Sequence, residues 1–160
     1  IVLEDVNYII GIAAIATRKI IVSRFLQKGA RFISFRHCSA YISDSSMIGE
    51  GNVIGPNVNI GPNVKIGNFN LLNSRCSFGH DTVIGNFNCI CPNVCFSGFS
   101  KVGDENFFGI NSATIPEVEV GNRNIVAAGM ILDQNVEDDS YQFYRFKEKI
   151  MAYPNHRKEQ

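Results

Sequence analysis

The chain has 160 residues, of which 19% are charged and 45% are apolar, and its 15 Lys and Arg residues balance 15 Asp and Glu residues. This composition is typical of one soluble globular domain, or of one domain with a small cap, and the zero net charge argues against nucleic-acid binding. The apolar run at 8–15 is too short to span a membrane and lacks the flanks of a signal peptide, so we expect a cytoplasmic protein without a membrane partner.

The first 41 residues predict a small β-α-β unit. Residues 7–13 have the apolar character of a buried strand, 17–27 carry apolar residues at helical spacing, and 31–35 have the pattern of a second strand. Because repeat folds require covered ends, we expect residues 1–41 to form a cap over the open edge of the domain that follows.

An apolar residue recurs at every sixth position from 42 to 132, and Thr114 is the one polar exception. The sixteen positions are Ile42, Ile48, Ile54, Ile60, Ile66, Leu72, Phe78, Ile84, Ile90, Phe96, Val102, Phe108, Thr114, Val120, Val126 and Leu132. A period of six fits neither an amphipathic helix nor an alternating strand. It predicts a parallel β-helix over 42–132, in which each hexapeptide is a short strand plus a corner and three hexapeptides close one coil of about 18 residues.

Turn residues mark the corners of the predicted coil, and a separate tail follows the last repeat. Pro-Asn pairs at 56–57, 62–63 and 92–93 share one phase of the repeat, where Pro presets φ and Asn tolerates the positive φ of a type II turn. We expect residues 133–160 to form a C-terminal tail, with an acidic turn at 137–139 and a partly helical segment at 141–153 that covers the other end.

The five cysteines form no CxxC pair and therefore predict reduced thiols rather than a disulfide or a metal site. They are Cys38, Cys76, Cys89, Cys91 and Cys95. Cys76 falls at an inward position of the repeat, where a thiol serves as a small apolar filler.

His80 is the one histidine inside the repeats, and it is the candidate catalytic residue. It lies two positions after Phe78, at the corner phase where side chains point outward, and Asp81 follows directly and is placed to orient the imidazole. Gly98 comes 18 residues later and is predicted to stack on His80, where its backbone N–H would be an oxyanion donor. An exposed turn histidine without a function is the alternative.

A second group of candidate residues, Asn73, Ile110 and Ala128, falls on a different corner of the predicted coil. The two corners are separated within one chain, but they would meet across the interfaces of a symmetric trimer. Register alone therefore suggests a cleft between subunits, with a base and an N–H donor from one chain facing a groove of small residues on its neighbour.

Segment 72–132, which contains CSFGHDTVIGNF, resembles the bacterial hexapeptide-repeat acetyltransferases of the sialic-acid and UDP-amino-sugar type, and the lead-in RFISFRHCSAYIS resembles their domain junction. The resemblance implies a left-handed β-helix, a homotrimer with active sites between subunits, and acetyl transfer from acetyl-CoA to an amine or hydroxyl of a nucleotide-linked sugar for surface polysaccharides. It implies His80 as general base, Asp81 as its acidic partner, Gly98 as the amide that holds the thioester carbonyl, and Asn73 near the acceptor. It also implies contacts of Gly109, Ile110 and Ala128 with coenzyme A, and no metal.

Three departures from that family keep other functions open. Residues 7–35 match only the second half of the family's nucleotide-binding unit, Cys89 stands where many members have a second histidine, and the tail reads YQFYRFKEKI instead of carrying a Gly-x-Pro-Ala segment. A non-catalytic scaffold and an acetyltransferase for a small acceptor without a nucleotide therefore remain alternatives. A zinc hydratase of the same fold is disfavoured, because His37 and His156 lie outside the repeats. The acceptor, the choice of N- or O-acetylation, and the acyl group remain open, as does the presence of an upstream nucleotide-binding segment.

Overall fold

The computed structural model describes residues 5–144, which form one α-helix, Ile15–Leu26 (α1), and twenty two-residue strands. In chain order the strands are Asn7–Tyr8 (β1), Arg31–Phe32 (β2), Phe35–Arg36 (β3), Tyr41–Ile42 (β4), Met47–Ile48 (β5), Val53–Ile54 (β6), Asn59–Ile60 (β7), Lys65–Ile66 (β8), Leu71–Leu72 (β9), Ser77–Phe78 (β10), Val83–Ile84 (β11), Cys89–Ile90 (β12), Cys95–Phe96 (β13), Lys101–Val102 (β14), Phe107–Phe108 (β15), Ala113–Thr114 (β16), Glu119–Val120 (β17), Ile125–Val126 (β18), Ile131–Leu132 (β19) and Tyr141–Gln142 (β20).

The strands from β3 onward build a three-sided parallel β-helix. Side I has the order β3-β6-β9-β12-β15-β18-β20, side II has β4-β7-β10-β13-β16-β19, and side III has β5-β8-β11-β14-β17. Paired residues on neighbouring coils are 18 apart in sequence, as in Phe78 beside Phe96. The predicted fold class is therefore confirmed. We name the corners by the sides that they join, so that corner I–II follows a strand of side I, corner II–III follows side II and corner III–I follows side III.

The sixfold apolar positions point inward and form the core. From Ile54 to Leu132 each of them is at most 4% exposed, while Ile42 and Ile48 in the first coil are half-buried. Burial of a large apolar side chain contributes about 1.5–3 kcal/mol, so the ladders supply the main favourable term for the stacking of coils. Thr114 fits among them because its hydroxyl pairs with that of Ser100 at 2.8 Å.

From Ile48 to Val126, the residue three positions after each inward anchor adopts a left-handed φ at the corner. The Asn residues of the Pro-Asn pairs have φ of +55° to +61°, as predicted, but Phe69 and Phe87 adopt the same conformation at +56° and +57°. Left-handed φ costs a bulky residue on the order of 1 kcal/mol. The cost is offset by bonds between coils, such as the one from the Phe87 N–H to the Asn68 carbonyl at 2.9 Å.

A ladder of buried asparagines fills the inside of corner III–I, a feature that the sequence analysis missed. Asn70, Asn88, Asn106 and Asn124 each donate a backbone N–H to the side-chain oxygen of the asparagine one coil earlier, at 2.8 Å in every case. Three of these side chains also donate to a glycine carbonyl of the next coil at 2.9–3.0 Å. Because most of these buried polar groups are paired, the ladder fixes the register of the coils.

The N-terminal unit is a β-α-β element, as predicted, with β1 and β2 paired in parallel. The prediction of a strand over 7–13 is wrong beyond Tyr8, where β1 ends, because β2 offers only two residues for pairing. The strand predicted over 31–35 is divided, since Phe35 belongs to β3 and pairs with side I. The helix begins two residues earlier than predicted and ends one residue earlier.

The same unit lies along corner III–I rather than over the open edge of the β-helix, so the predicted position of the cap is wrong. Arg18 of α1 donates to the carbonyls of Phe87 and Asn88 at 2.7 and 3.0 Å, and the ring of Phe32 packs edge-on against Phe69 at 5.4 Å. These contacts pair the apolar face of the unit with phenylalanines that project from two successive coils.

The stacked strands extend beyond the 42–132 range at both ends. Strand β3 pairs with β6, and β20 pairs with β18 in a register of 16 residues, Ile125 beside Tyr141, because the last coil is two residues shorter. The sequence predicts a partly helical segment over 141–153, but its first two residues form β20 instead. The residues from 145 onward lie outside the described part of the chain. No helix within 5–144 combines the length and the apolar character needed to cross a membrane.

Candidate active site

His80 and Asp81 form an exposed acid–base pair on corner II–III, in the turn between β10 and β11. The Nδ1 atom of His80 lies 3.0 Å from Oδ2 of Asp81, and the two side chains are 54% and 36% exposed. A carboxylate only accepts hydrogen bonds, so Nδ1 is the donor and the neutral ring carries its lone pair on Nε2. The pair therefore presents an available base to the surface.

Gly98 lies one coil above His80, against the free nitrogen of the imidazole. A Cβ on Gly98 would lie 2.7 Å from Nε2, and a Cβ on Gly79 would lie 2.6 Å from the Gly98 nitrogen. Only glycine leaves room for the ring in this position. The Gly98 N–H donates no hydrogen bond to another residue of the described range. The corner thus holds a base and an unused N–H donor side by side.

Two neighbours of the pair were not singled out as site residues by the sequence analysis. The ring of Phe99 meets the imidazole edge-on at 5.0 Å and is 51% exposed, and the side-chain amide of Asn63 donates to Oδ1 of Asp81 at 3.2 Å. Asn63 precedes Asp81 by 18 residues, so register could have identified this contact. The contact of Phe99 depends on its rotamer, which register does not specify.

The other candidate residues lie on corner I–II, as predicted. Ile110 and Ala128 are exposed, Asn73 is half-buried, and Gly109 is buried. A Cβ on Gly109 would lie 2.5 Å from the Ala128 nitrogen, so glycine is required there for coil stacking. The structure does not bring this group and His80 together within the chain, because the two corners lie on opposite edges of side II.

Side II carries small outward side chains between the two corners. Ser77, Cys95 and Ala113 are the outward residues of three successive strands, β10, β13 and β16. On side III the outward positions of β14 and β17 carry instead the ion pair of Lys101 and Glu119, with a distance of 2.7 Å. The centre of side II is therefore a comparatively smooth surface.

Cys76 and Cys89 contribute no reactive group to corner II–III. Cys89 is buried on side I beside Arg18, and burial raises the pKa of its thiol. Cys76 is fully buried, and burial raises its thiol pKa to about 12. In the described part of the chain no three His, Cys, Asp or Glu side chains are grouped as metal ligands. His37 is bonded to Ser39 at 2.8 Å, and His156 lies outside the described residues.

No family model and no curated protein matches the sequence, whereas solved structures match the fold closely. WeeI from Acinetobacter baumannii AYE superposes with a TM-score of 0.83 at 24% identity, over 87% of this chain and 68% of WeeI. PerB from Caulobacter crescentus, solved with CoA and GDP-perosamine, gives 0.82 at 25% identity, over 84% of this chain and 65% of PerB. The acetyltransferase domain of PglB from Neisseria gonorrhoeae FA1090, solved with acetyl coenzyme A, gives 0.79 at 20% identity, over 83% and 65%.

The comparisons confirm the resemblance at the level of architecture: the chain has the fold of the hexapeptide-repeat sugar acetyltransferases. A coil of the opposite hand would not superpose over this much of the chain, which supports the expected left-handed β-helix. The chain spans about two thirds of the length of these proteins, between 65% and 68% in the three cases.

Proposed function

We propose that the chain is an acyltransferase that moves an acetyl group from acetyl-CoA to an amine or hydroxyl of a nucleotide-linked sugar, for surface polysaccharide synthesis in the cytoplasm. The observation that carries the proposal is the geometry at corner II–III, where Nε2 of His80 is free, Nδ1 is held by Asp81, and Gly98 offers an unused N–H. PerB, which has the same fold, was solved with both CoA and a nucleotide-linked amino sugar, GDP-perosamine.

His80 is the general base in this mechanism. Its Nε2 atom accepts a proton from the acceptor amine or hydroxyl while that group attacks the thioester carbonyl carbon. The new C–N or C–O bond forms, the C–S bond breaks, and the imidazolium returns its proton to the sulfur of the departing coenzyme A thiol. Asp81 keeps Nδ1 protonated and stabilises the imidazolium between the two transfers.

Gly98 stabilises the negative charge that develops on the thioester oxygen. A backbone N–H aimed at such an oxygen contributes about 3 kcal/mol in other acyl-transfer sites. Glycine suits this role here because a larger residue would displace the imidazole from its position against the Gly98 backbone. Base and oxyanion donor are therefore parts of one rigid corner.

The upper coils of corner I–II, which carry Gly109, Ile110 and Ala128, are the proposed binding surface for the donor. The side chains of Ile110 and Ala128 are exposed beside the close backbone stacking at Gly109, which leaves an apolar edge suited to a pantetheine arm. Asn73 lies on the same corner, and its side-chain amide makes no hydrogen bond to a residue of 5–144. It is available to bind a polar group of the acceptor.

The two corners belong to different subunits of a homotrimer in this proposal. They lie on opposite edges of side II, so one chain does not supply both walls of a cleft. The small outward residues Ser77, Cys95 and Ala113 on side II favour close packing of a second copy. Each of the three active sites then lies between two chains.

Replacement of His80 tests the catalytic assignment. We expect His80→Ala to fold and bind acetyl-CoA with unchanged heat in calorimetry, and to lose about 10²–10⁴-fold in kcat, the usual contribution of a general base. Activity is measured as free thiol released from acetyl-CoA in the presence of nucleotide-linked amino sugars, GDP-perosamine among them. His37→Ala is the matched control, since His37 lies at a turn of the first coil away from Gly98.

Three outcomes would contradict the proposal. Retention of activity by His80→Ala would show that the base is misassigned. Absence of any heat when acetyl-CoA is titrated into the wild-type protein would favour the non-catalytic scaffold, and turnover of small amines alone would favour an acceptor without a nucleotide.

A further inference from the structure

The geometry points to Asn63 as a positioning residue that holds the Asp81 carboxylate, and through it the imidazole of His80, in the orientation required of the base. This inference rests on the proposed function and extends it to a residue outside the His80 turn. Asn63 lies one coil below Asp81, at the same position of the turn, and both residues have φ of +58°. Their side chains therefore stack directly.

The carboxylate of Asp81 is held at both oxygens. Oδ2 faces Nδ1 of His80 at 3.0 Å, and Oδ1 accepts a hydrogen bond from the side-chain amide of Asn63 at 3.2 Å. A carboxylate with one partner rotates about its terminal torsion, which has broad and shallow minima. With a partner on each oxygen its plane is fixed, so the direction of the bond to His80 is fixed as well.

Orientation matters here because the pair is exposed to water. The side chains of His80 and Asp81 are 54% and 36% exposed, so solvent competes for Nδ1 and for both carboxylate oxygens. Imidazole has two tautomers, and only the one with hydrogen on Nδ1 leaves Nε2 as an acceptor beside Gly98. If the carboxylate turns away from the ring, it no longer favours the tautomer with hydrogen on Nδ1.

Asn63 is itself held by the coil below it, and within residues 5–144 the side chain of Asp81 makes no hydrogen bond to the coil above it. Its backbone N–H donates to the hydroxyl of Ser45 at 3.0 Å, one further coil down. The residue one coil above Asp81 is Phe99, whose ring packs on the imidazole instead of bonding to the carboxylate. Ser45, Asn63 and Asp81 thus form a short polar stack that ends at the base.

The chain supplies a matched control at Asn57. Asn57 also follows a proline, has φ of +55°, and donates its backbone N–H to a serine hydroxyl, that of Ser39, at 3.0 Å. The residue one coil above it is Arg75 rather than a carboxylate. Replacement of Asn57 therefore perturbs an equivalent turn without touching the acid–base pair.

The test compares Asn63→Gly and Asn63→Asp with Asn57→Gly and Asn57→Asp. Glycine keeps the positive φ and removes the amide, while Asp is isosteric, tolerates the same φ, and replaces the donor by an acceptor. The first readout is the tautomer of His80 from its ring ¹⁵N chemical shifts in the full chain. The protein has 3 histidines, and the His80 signals are assigned by their loss in His80→Ala.

We expect the wild-type imidazole to carry hydrogen on Nδ1, and both Asn63 variants to shift toward the tautomer with hydrogen on Nε2. The second readout is kinetic, with acetyl-CoA as donor and GDP-perosamine or a UDP-linked amino sugar as acceptor. We expect kcat to fall about fivefold to tenfold, the effect of one hydrogen bond, with the KM for acetyl-CoA within about twofold of wild type. Both Asn57 variants should match the wild type in both readouts.

Equal losses in the Asn63 and Asn57 variants would overturn the inference, because the effect would then belong to turn structure. An unchanged His80 tautomer in both Asn63 variants would also overturn it, as would a wild-type ring with hydrogen on Nε2. The tautomer measurement requires no substrate, so it tests Asn63 even if His80→Ala retains activity and the proposed function fails. If Asn63→Gly does not fold, Asn63→Asp provides the same comparison.

Discussion

At the candidate site, the imidazole of His80 packs against Gly98, which has no side chain. This glycine lies one coil above His80, and any Cβ on it would be 2.7 Å from Nε2 of the imidazole. Phe99, the next residue, has φ of +61° and places its ring edge-on to the same imidazole. At the residue scale, the orientation of His80 is therefore set by one coil above it and one coil below it, and not by its own turn alone.

Cys76 provides a residue-scale prediction about alkaline stability. Burial raises the pKa of its thiol from 9.0 to about 12, so between these values the unfolded chain has lost a proton that the folded chain retains. The contribution of the Cys76 thiol to the free energy of unfolding is therefore complete below pH 9 and falls as the pH rises toward 12. At pH 10 the loss from this group is about 1.4 kcal/mol.

We expect Cys76→Ala to be less stable than wild type at pH 8, because it leaves a small cavity, but to lose less stability between pH 8 and pH 10. The free energy of unfolding from urea titrations with reductant measures both values. Cys38→Ala is the control, since Cys38 is exposed in the turn after β3. An equal decline in Cys76→Ala and wild type would contradict the argument.

At the scale of elements, Arg18 joins the N-terminal unit to the β-helix. It is 0% exposed, and it donates to the carbonyl of Ile12 at 2.6 Å within its own unit and to those of Phe87 and Asn88 across the junction. Burial lowers the pKa of its guanidinium. The hydrogen bonds must offset this cost of desolvation. One side chain therefore spans two elements that have no strand pairing in common.

We expect Arg18→Met to lower the free energy of unfolding by about 2 kcal/mol, because four carbonyls lose a hydrogen bond from the guanidinium while its desolvation is removed. Lys19→Met is the control. The bond of Lys19 to Glu105 at 2.5 Å joins side chains that are 42% and 26% exposed, and such a pair contributes under about 1 kcal/mol. Urea unfolding of the two variants distinguishes them, and an equal loss would show that Arg18 does not anchor the unit.

At the scale of the whole molecule, the proposed site is divided between two corners that face away from each other across side II. An assembly through side II would bring a corner of one chain beside the opposite corner of another. We expect wild-type protein to sediment at three times the mass of one chain. Ala113→Arg should dissociate the assembly and abolish acetyl transfer, because a buried unpaired charge in the interface is strongly unfavourable.

Met47→Arg is the matched control for this experiment. Met47 is the outward residue of β5 on side III, and it is 65% exposed in the single chain. The variant should keep both the mass and the activity of the wild type. A monomeric wild-type protein, or an Ala113→Arg variant that remains trimeric and active, would contradict an active site between subunits joined through side II.

The period of six was enough to predict most of the fold and part of the site. It gave the inward ladders from Ile54 to Leu132, the left-handed Asn at the corners, and the stacking of Gly98 on His80, because every coil repeats the one below it. It did not indicate the asparagine ladder of corner III–I, since Asn is compatible with both a turn and a buried paired position. It also gave no information about where a unit outside the repeat would pack.

The three-sided coil and the residues that share each corner follow from the sequence alone, because an 18-residue register converts position in the chain directly into position in space. Two features became visible only in the folded structure: the N-terminal unit lies along corner III–I, and Phe99 packs on the imidazole of His80. These features depend on docking and on rotamers. Both are set by contacts between side chains that no repeat period specifies.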